Sequence, residues 1–182
     1  TTQDISIFAS QPAGLFYGLQ TLLQLMPKEI ESKEVVKDIS WTVPAVNITD
    51  RPRFGWRGLM LDVSRHFFDA EFIKKTISAL AVFDYNTLHL HLTDDQGWRL
   101  ESKEFPLLHT VGSIRKQSQN NHGLLEPTYD GIEHSGYLTH EDVREIISHA
   151  HSLGIRVIPE INIPGHTGAL LAAYPQFGIN QN

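Results

Sequence analysis

Residues 86–95 read NTLHLHLTDD. Leu88, Leu90 and Leu92 alternate with His89, His91 and Thr93, the two-residue period of a β-strand whose successive side chains face opposite sides of a sheet. One face is aliphatic and the other polar, and Asp94 and Asp95 stand where the strand should end. An aliphatic face suits a layer of covering helices, so the polar face turns the other way and leads into a polar cluster at the C-terminal end.

The same pattern recurs on both sides. GLMLDV (58–63) is a short apolar run followed by Asp69, a helix N-cap residue, and by Phe72, Ile73, Ile77, Leu80 and Ala81 on one helical stripe. Further on, Thr139 and Asp142 have the spacing of a capping box, Val143, Ile146, Ile147 and Ala150 form a stripe, and Gly154 sits where a C-terminal cap glycine belongs. IRVIPEINI (155–163) is the third strand. Strands alternating with helices predict an α/β protein with a parallel sheet, and each strand runs into a polar cluster: DVSRH, TDDQGW and NIPGH. Strand ends carry active sites in both (β/α) barrels and open doubly wound sheets, so this placement does not choose between them. No GxGxxG or P-loop follows any strand, which argues against nucleotide binding.

Composition sets the outer limits. The 182 residues are 41% hydrophobic and 20% charged, in the range of a folded globular chain. A net charge of -6 without a basic run argues against nucleic acid as a partner. No apolar run reaches the ~20 residues of a membrane span, and the absence of Cys excludes disulfides and thiolate ligands. Residues 4–10 alternate like a strand, 12–27 carry Leu15, Leu19, Leu22, Leu23 and Met26 at helical spacing, and 35–44 return as a strand. Residues 1–45 are therefore expected to be the last part of a preceding small α/β domain, and 46–182 a separate unit, with an irregular binding-loop-like stretch over 102–137.

The polar clusters hold the chemistry. On the first strand Met60, Asp62 and Ser64 share a face, which directs Asp62 inward, and Arg65 follows at the rim, where its five donors suit vicinal sugar hydroxyls or a structural carboxylate. His89 and His91 share a face, as metal ligands on a barrel strand do, and equally as neutral histidines filling a barrel interior. Asp94 and Asp95, being adjacent, cannot both face the same way at a strand end, so one is expected to enter the site and the other to cap the loop or to pair with an arginine such as Arg99. Trp98 can stack on a sugar face or anchor the loop. Ile158, Glu160 and Asn162 share the third strand's polar side, Glu160 needs a buried partner among Asp62, His89 and His91, and the Pro-Gly turn directs His166 back over the strand ends.

Taken together and in order, RGLMLDVSRHF, NTLHLHLTDDQGWR, GYLTHEDVREII and IRVIPEINIPGH closely resemble the front half of the catalytic domain of glycoside hydrolase family 20, the β-N-acetylhexosaminidases. AGLFYGLQTLLQL resembles the end of the domain that precedes that barrel. The resemblance implies a partial (β/α)8 barrel of about three βα units, acting on β-linked N-acetylhexosaminide glycans by retaining, substrate-assisted hydrolysis through an oxazolinium intermediate. It implies no metal and no cofactor, a periplasmic or secreted location, and the remainder of the barrel as the natural partner of this segment. By position it implies substrate binding for Arg65, Asp94 and His166, with Trp98 a weaker candidate, a supporting catalytic role for Asp94 and His166, and interior framework roles for Asp62, His89, His91 and Glu160.

The sequence departs from the family pattern twice. Asn162 stands where the family usually has Asp, which removes a charge near His166. The family's catalytic Asp-Glu pair belongs to a GGDE-like motif after a fourth strand, and no Asp-Glu dipeptide occurs among the 182 residues. The chain is thus expected to be a fragment, inactive alone, with sugar binding without cleavage as the alternative.

Overall fold

The computed structural model describes residues 3–121 and 126–179. In chain order the elements are α1 (Pro12–Leu25), β1 (Gly58–Asp62), α2 (Ala70–Val82), β2 (Thr87–His91), β3 (Thr93–Asp94), β4 (Gly97–Trp98), α3 (Leu107–Thr110), α4 (His140–Ser152), β5 (Arg156–Glu160) and α5 (Gly168–Ala173). Strands β1, β2 and β5 form a parallel sheet in that order. The order never reverses, and α2 packs against α4 in one layer, as in a singly wound arc and unlike a doubly wound sheet.

Helices α2 and α4 start where the sequence places them. The Asp69 carboxylate accepts the Phe72 N–H at 2.9 Å, and Thr139 and Asp142 form a reciprocal capping box, satisfying N–H groups that have no partner inside their helices. Gly154 ends α4 at φ +69°, a conformation that only glycine adopts without strain. The core lies between these helices and the aliphatic face of the sheet: Ile73, Ile77, Leu80, Ile146 and Ala150 meet Leu88 and Leu90, all buried. Burial on this scale, about 1.5–3 kcal/mol per large aliphatic side chain, is what holds the layers together.

The N-terminal part folds only in part as its pattern predicts. Helix α1 forms and ends before Pro27, because its hydrogen bonds are local. Residues 4–10 and 35–44 form no strand. A strand exists only as one of a hydrogen-bonded pair, and among the described residues none lies beside them; Phe8 and Val35 stand 91% and 92% exposed. The face of α1 that meets the sheet domain also differs from its leucine stripe. Leu15, Leu19 and Leu23 remain exposed, while Phe16 packs on the core, Gln20 is buried and Gln24 donates to the Val82 carbonyl at 2.8 Å.

The stretch 102–137 is largely irregular, as expected, except for the single turn of α3. It returns to its start through a bridge between Leu100 and Leu138 and is pinched by bridges between Arg115 and His134 and between Gln119 and Tyr129. Residues 122–125 lie outside the described part.

Candidate active site

The parallel register aligns Asp62, His91 and Glu160 across β1, β2 and β5, so the polar faces of three strands converge in one row at their C-terminal ends. Buried His91 sits at the centre, with Nε2 3.1 Å from Asp94 Oδ2 and Nδ1 2.8 Å from Glu160 Oε2. His89 Nε2 reaches the same Glu160 oxygen at 2.6 Å. Burial pushes the His91 imidazole toward its neutral form, but the two carboxylates outweigh burial and raise its pKa above the usual histidine value. Hydrogen bonding to His91, against opposing burial and with His89 assisting, holds Glu160 below the usual carboxylate range.

Asp94 ends β3, whose pairing with β4 makes a two-residue turn of Asp95 and Gln96. The ribbon carries the Asp94 carboxyl inward to 1% exposure, where Oδ2 meets the Arg65 guanidinium at 2.6 Å. The other arm of that guanidinium meets Asp62 Oδ2 at 2.6 Å, and Asp62 Oδ1 accepts the backbone N–H groups of Ser64 and Arg65. Burial pushes the Asp62 carboxyl up, but the Arg65 N–H and guanidinium and the Ser64 N–H overcome it and hold it low. Arg65 is thus clamped between two carboxylates while its side chain stays 44% exposed. Only two of its five donors are used by that clamp, and a planar cation so held can present the rest to hydroxyl groups at the rim.

His166 arrives from the far side on a turn in which its own φ is +52°. Its Nδ1 lies 2.9 Å from Asp95 Oδ2 and 3.4 Å from Asp94 Oδ1. Asp95 also accepts the Gly168 N–H at 2.9 Å. That hydrogen bond, against weak burial and with His166 assisting, lowers the Asp95 pKa. Two carboxylates therefore flank the ring although position 162 supplies none. The Asn162 N–H donates instead to Thr93 Oγ1 at 2.8 Å, tying the exit of β5 to the ribbon.

Two expectations need correction or refinement. Neither Asp94 nor Asp95 pairs with Arg99. That guanidinium is wholly buried and donates to the backbone carbonyls of Ser64, Gln96, Ser113 and Gly136. Burial, with nearby Arg115, lowers its pKa to about 10. Gly97 makes room for it, since a Cβ there would collide with the guanidinium. Of the two roles open to Trp98, loop anchoring has a visible contact: its indole N–H donates to the Leu100 carbonyl at 2.8 Å. A sequence signal for Arg99 did exist, a glycine two residues before an arginine at strand period, but nothing local says which carbonyls the arginine will cap. His134, whose ring accepts the Phe67 N–H at 2.9 Å, lies in the aperiodic stretch and leaves no sequence signal.

The arrangement couples an exposed guanidinium to a buried carboxylate, and that carboxylate to two imidazoles. Such a site can hold a polyhydroxylated ligand at its rim and keep proton positions defined beneath it. Asp94, Asp95 and His166 also place ligand atoms within 4.8 Å of one another, yet each is already engaged by Arg65, the Gly168 N–H or one another.

Comparison with known proteins agrees with this geometry. The description "Glycosyl hydrolase family 20, catalytic domain" matches residues 54–182, and "Glycosyl hydrolase family 20, domain 2" matches residues 1–51. A beta-hexosaminidase of Porphyromonas gingivalis is 49% identical over 172 residues, covering 94% of this chain and 21% of that protein. One from Akkermansia muciniphila is 41% identical over 177 residues, covering 97% and 33%. A solved mutant Streptomyces plicatus beta-hexosaminidase in complex with its product GlcNAc superposes with a TM-score of 0.79 at 41% identity, over 93% of this chain and 31% of that one. The chain spans about a third or less of the length of these relatives. With a fold match of this quality, the three-stranded sheet is an arc of a (β/α)8 barrel. The match over residues 54–182, more than half of the chain, establishes that it belongs to glycosyl hydrolase family 20, a family of glycosidases.

Proposed function

We propose that this chain is the sugar-holding wall of an exo-acting β-N-acetylhexosaminidase that removes terminal GlcNAc or GalNAc from β-linked glycans. The observation that carries this is the Arg65 clamp: an arginine between Asp62 and buried Asp94 at the strand ends, in a family whose relatives are beta-hexosaminidases. Arg65 and Asp94 bind hydroxyls of the terminal sugar, His166 and Trp98 line the same wall, and Asp62, His89, His91 and Glu160 form the framework beneath.

The chemistry we assign is retaining and substrate-assisted. The 2-acetamido oxygen of the sugar attacks the anomeric carbon to give an oxazolinium, and water then opens it with net retention. That reaction needs one carboxylate to steady the acetamido group and one acid to protonate the leaving oxygen. An adjacent Asp-Glu pair would supply both, and the 182 residues contain no such dipeptide. The contribution of this segment is then binding and proton positioning, with residues 1–45 completing a preceding domain and the remainder of the barrel bringing the acid.

Turnover of a chromogenic β-N-acetylglucosaminide tests this. The 182-residue chain alone should give no turnover above background, and the same segment joined to the rest of its barrel should hydrolyse the substrate with retention. Turnover by the short chain, or a full-length protein indifferent to the 2-acetamido group, would sink the assignment.

A further inference from the structure

The turn that carries Arg65 is gripped from outside the strand ends. We propose that His134 is a positioning residue for Arg65, fixing the backbone on which the sugar-binding guanidinium rides; this rests on the sugar-binding role proposed for Arg65. Among the described residues, the ion pairs of the guanidinium are with Asp62 and Asp94, and its reach to both is set by where the backbone of residues 64–67 lies. Those residues are fixed at both ends. The Ser64 carbonyl accepts from the Arg99 guanidinium at 3.1 Å, and the Phe67 N–H donates to His134 Nε2 at 2.9 Å. The Phe67 ring closes over Gly136, where a Cβ would strike it, and His66 packs on the His134 ring at 4.3 Å between centroids.

His134 is in turn held by an element of its own. Its backbone exchanges two hydrogen bonds with Arg115, each 2.9 Å, and Arg99 reaches the nearby Gly136 carbonyl at 2.9 Å. The His134 ring accepts through Nε2, which requires that nitrogen to carry no proton. Burial pushes its pKa down to about 4, with Arg115, Arg99 and His66 adding to the shift and Asp130 opposing it. The acceptor is therefore available from neutral pH down to the acid range, and below that the ring becomes a donor facing another donor.

The test uses the full-length protein and initial rates on a β-N-acetylglucosaminide. His134→Ala should raise KM about tenfold, the scale of loosening a charged hydrogen-bonding contact, with kcat changed less than about threefold, since a contact made equally in ground and transition states acts on KM. His134→Gln, whose carboxamide oxygen can accept the Phe67 N–H at any pH, should restore KM. The parent's KM should rise as pH falls toward about 4, and the Gln variant should lack that rise. An unchanged KM in His134→Ala, or a Gln variant that keeps the parent's acid rise, overturns the proposal; if the Ala variant does not fold, the parent and Gln profiles decide between them. Arg65→Ala is measured alongside: a higher KM there with none in His134→Ala refutes the positioning role alone, whereas no KM change in Arg65→Ala refutes the sugar-binding assignment beneath it.

Discussion

At the scale of single residues, His91 is pulled both ways, buried between Asp94 and Glu160. Its folded pKa lies above the ordinary ~6.5, so its stabilising contribution is complete below that pH and fades as pH rises through the folded value. Glu160 runs the other way: with a lowered folded pKa its contribution is present above the ordinary ~4.3 and is lost as pH falls through the folded value. The pair therefore stabilises most between about pH 4.5 and 6.5. Urea midpoints of parent and Glu160→Gln should differ most in that window and converge on either side; a difference independent of pH would show that the pair is not ionised. Gly97 offers a second test at this scale. Gly97→Ala drives a methyl into the buried Arg99 guanidinium and should cost about 1–3 kcal/mol in urea unfolding, the range for overpacking. Arg99 was legible as a residue near the site and not as its hub, because the carbonyls it caps come from loops up to 37 positions away.

At the scale of elements, the helices were the most legible part. Caps, stripe and terminator are all encoded within a few residues: Asp69 and Thr139 start α2 and α4, and Gly154 ends α4. Thr139→Ala removes one side of the capping box and should lower stability by about 1 kcal/mol in chemical unfolding. Gly154→Ala forces a methyl-bearing residue to φ +69° and should cost about 1–2 kcal/mol. Strands were legible only where a partner existed. Ile5, Ile7 and Ala9 recur at the strand period over 4–10, broken by Phe8, while the alternation over 88–93 is strict; β2 is also paired on both sides by β1 and β5, whereas residues 4–10 have no neighbouring strand among the described residues.

At the scale of the whole molecule, the sheet is finished in the middle and open at its sides. Leu88 and Leu90 of β2 are buried, while Leu59 and Met60 of β1 are 39% and 51% exposed and Ile161 and Ile163 beyond β5 are 39% and 59% exposed. Apolar surface of that kind usually marks an interface. The 182-residue chain should bind a hydrophobic dye such as ANS strongly, and the same segment within a complete barrel should not; equal binding in both would mean that those faces stay uncovered.

By itself the sequence determined what is short-range: the strand and helix periods, the caps, the inward face of Asp62, His91 and Glu160, and the motifs that resemble the family. Only the tertiary structure decided which groups meet. Asp95 and not position 162 supplies the carboxylate nearest His166, Arg99 binds carbonyls and not carboxylates, and His134 reaches Phe67 across 67 positions. A side-chain period states which way a residue points, but a partner is set by the paths of separate loops brought together by the packing of β1, β2 and β5 beneath α2 and α4.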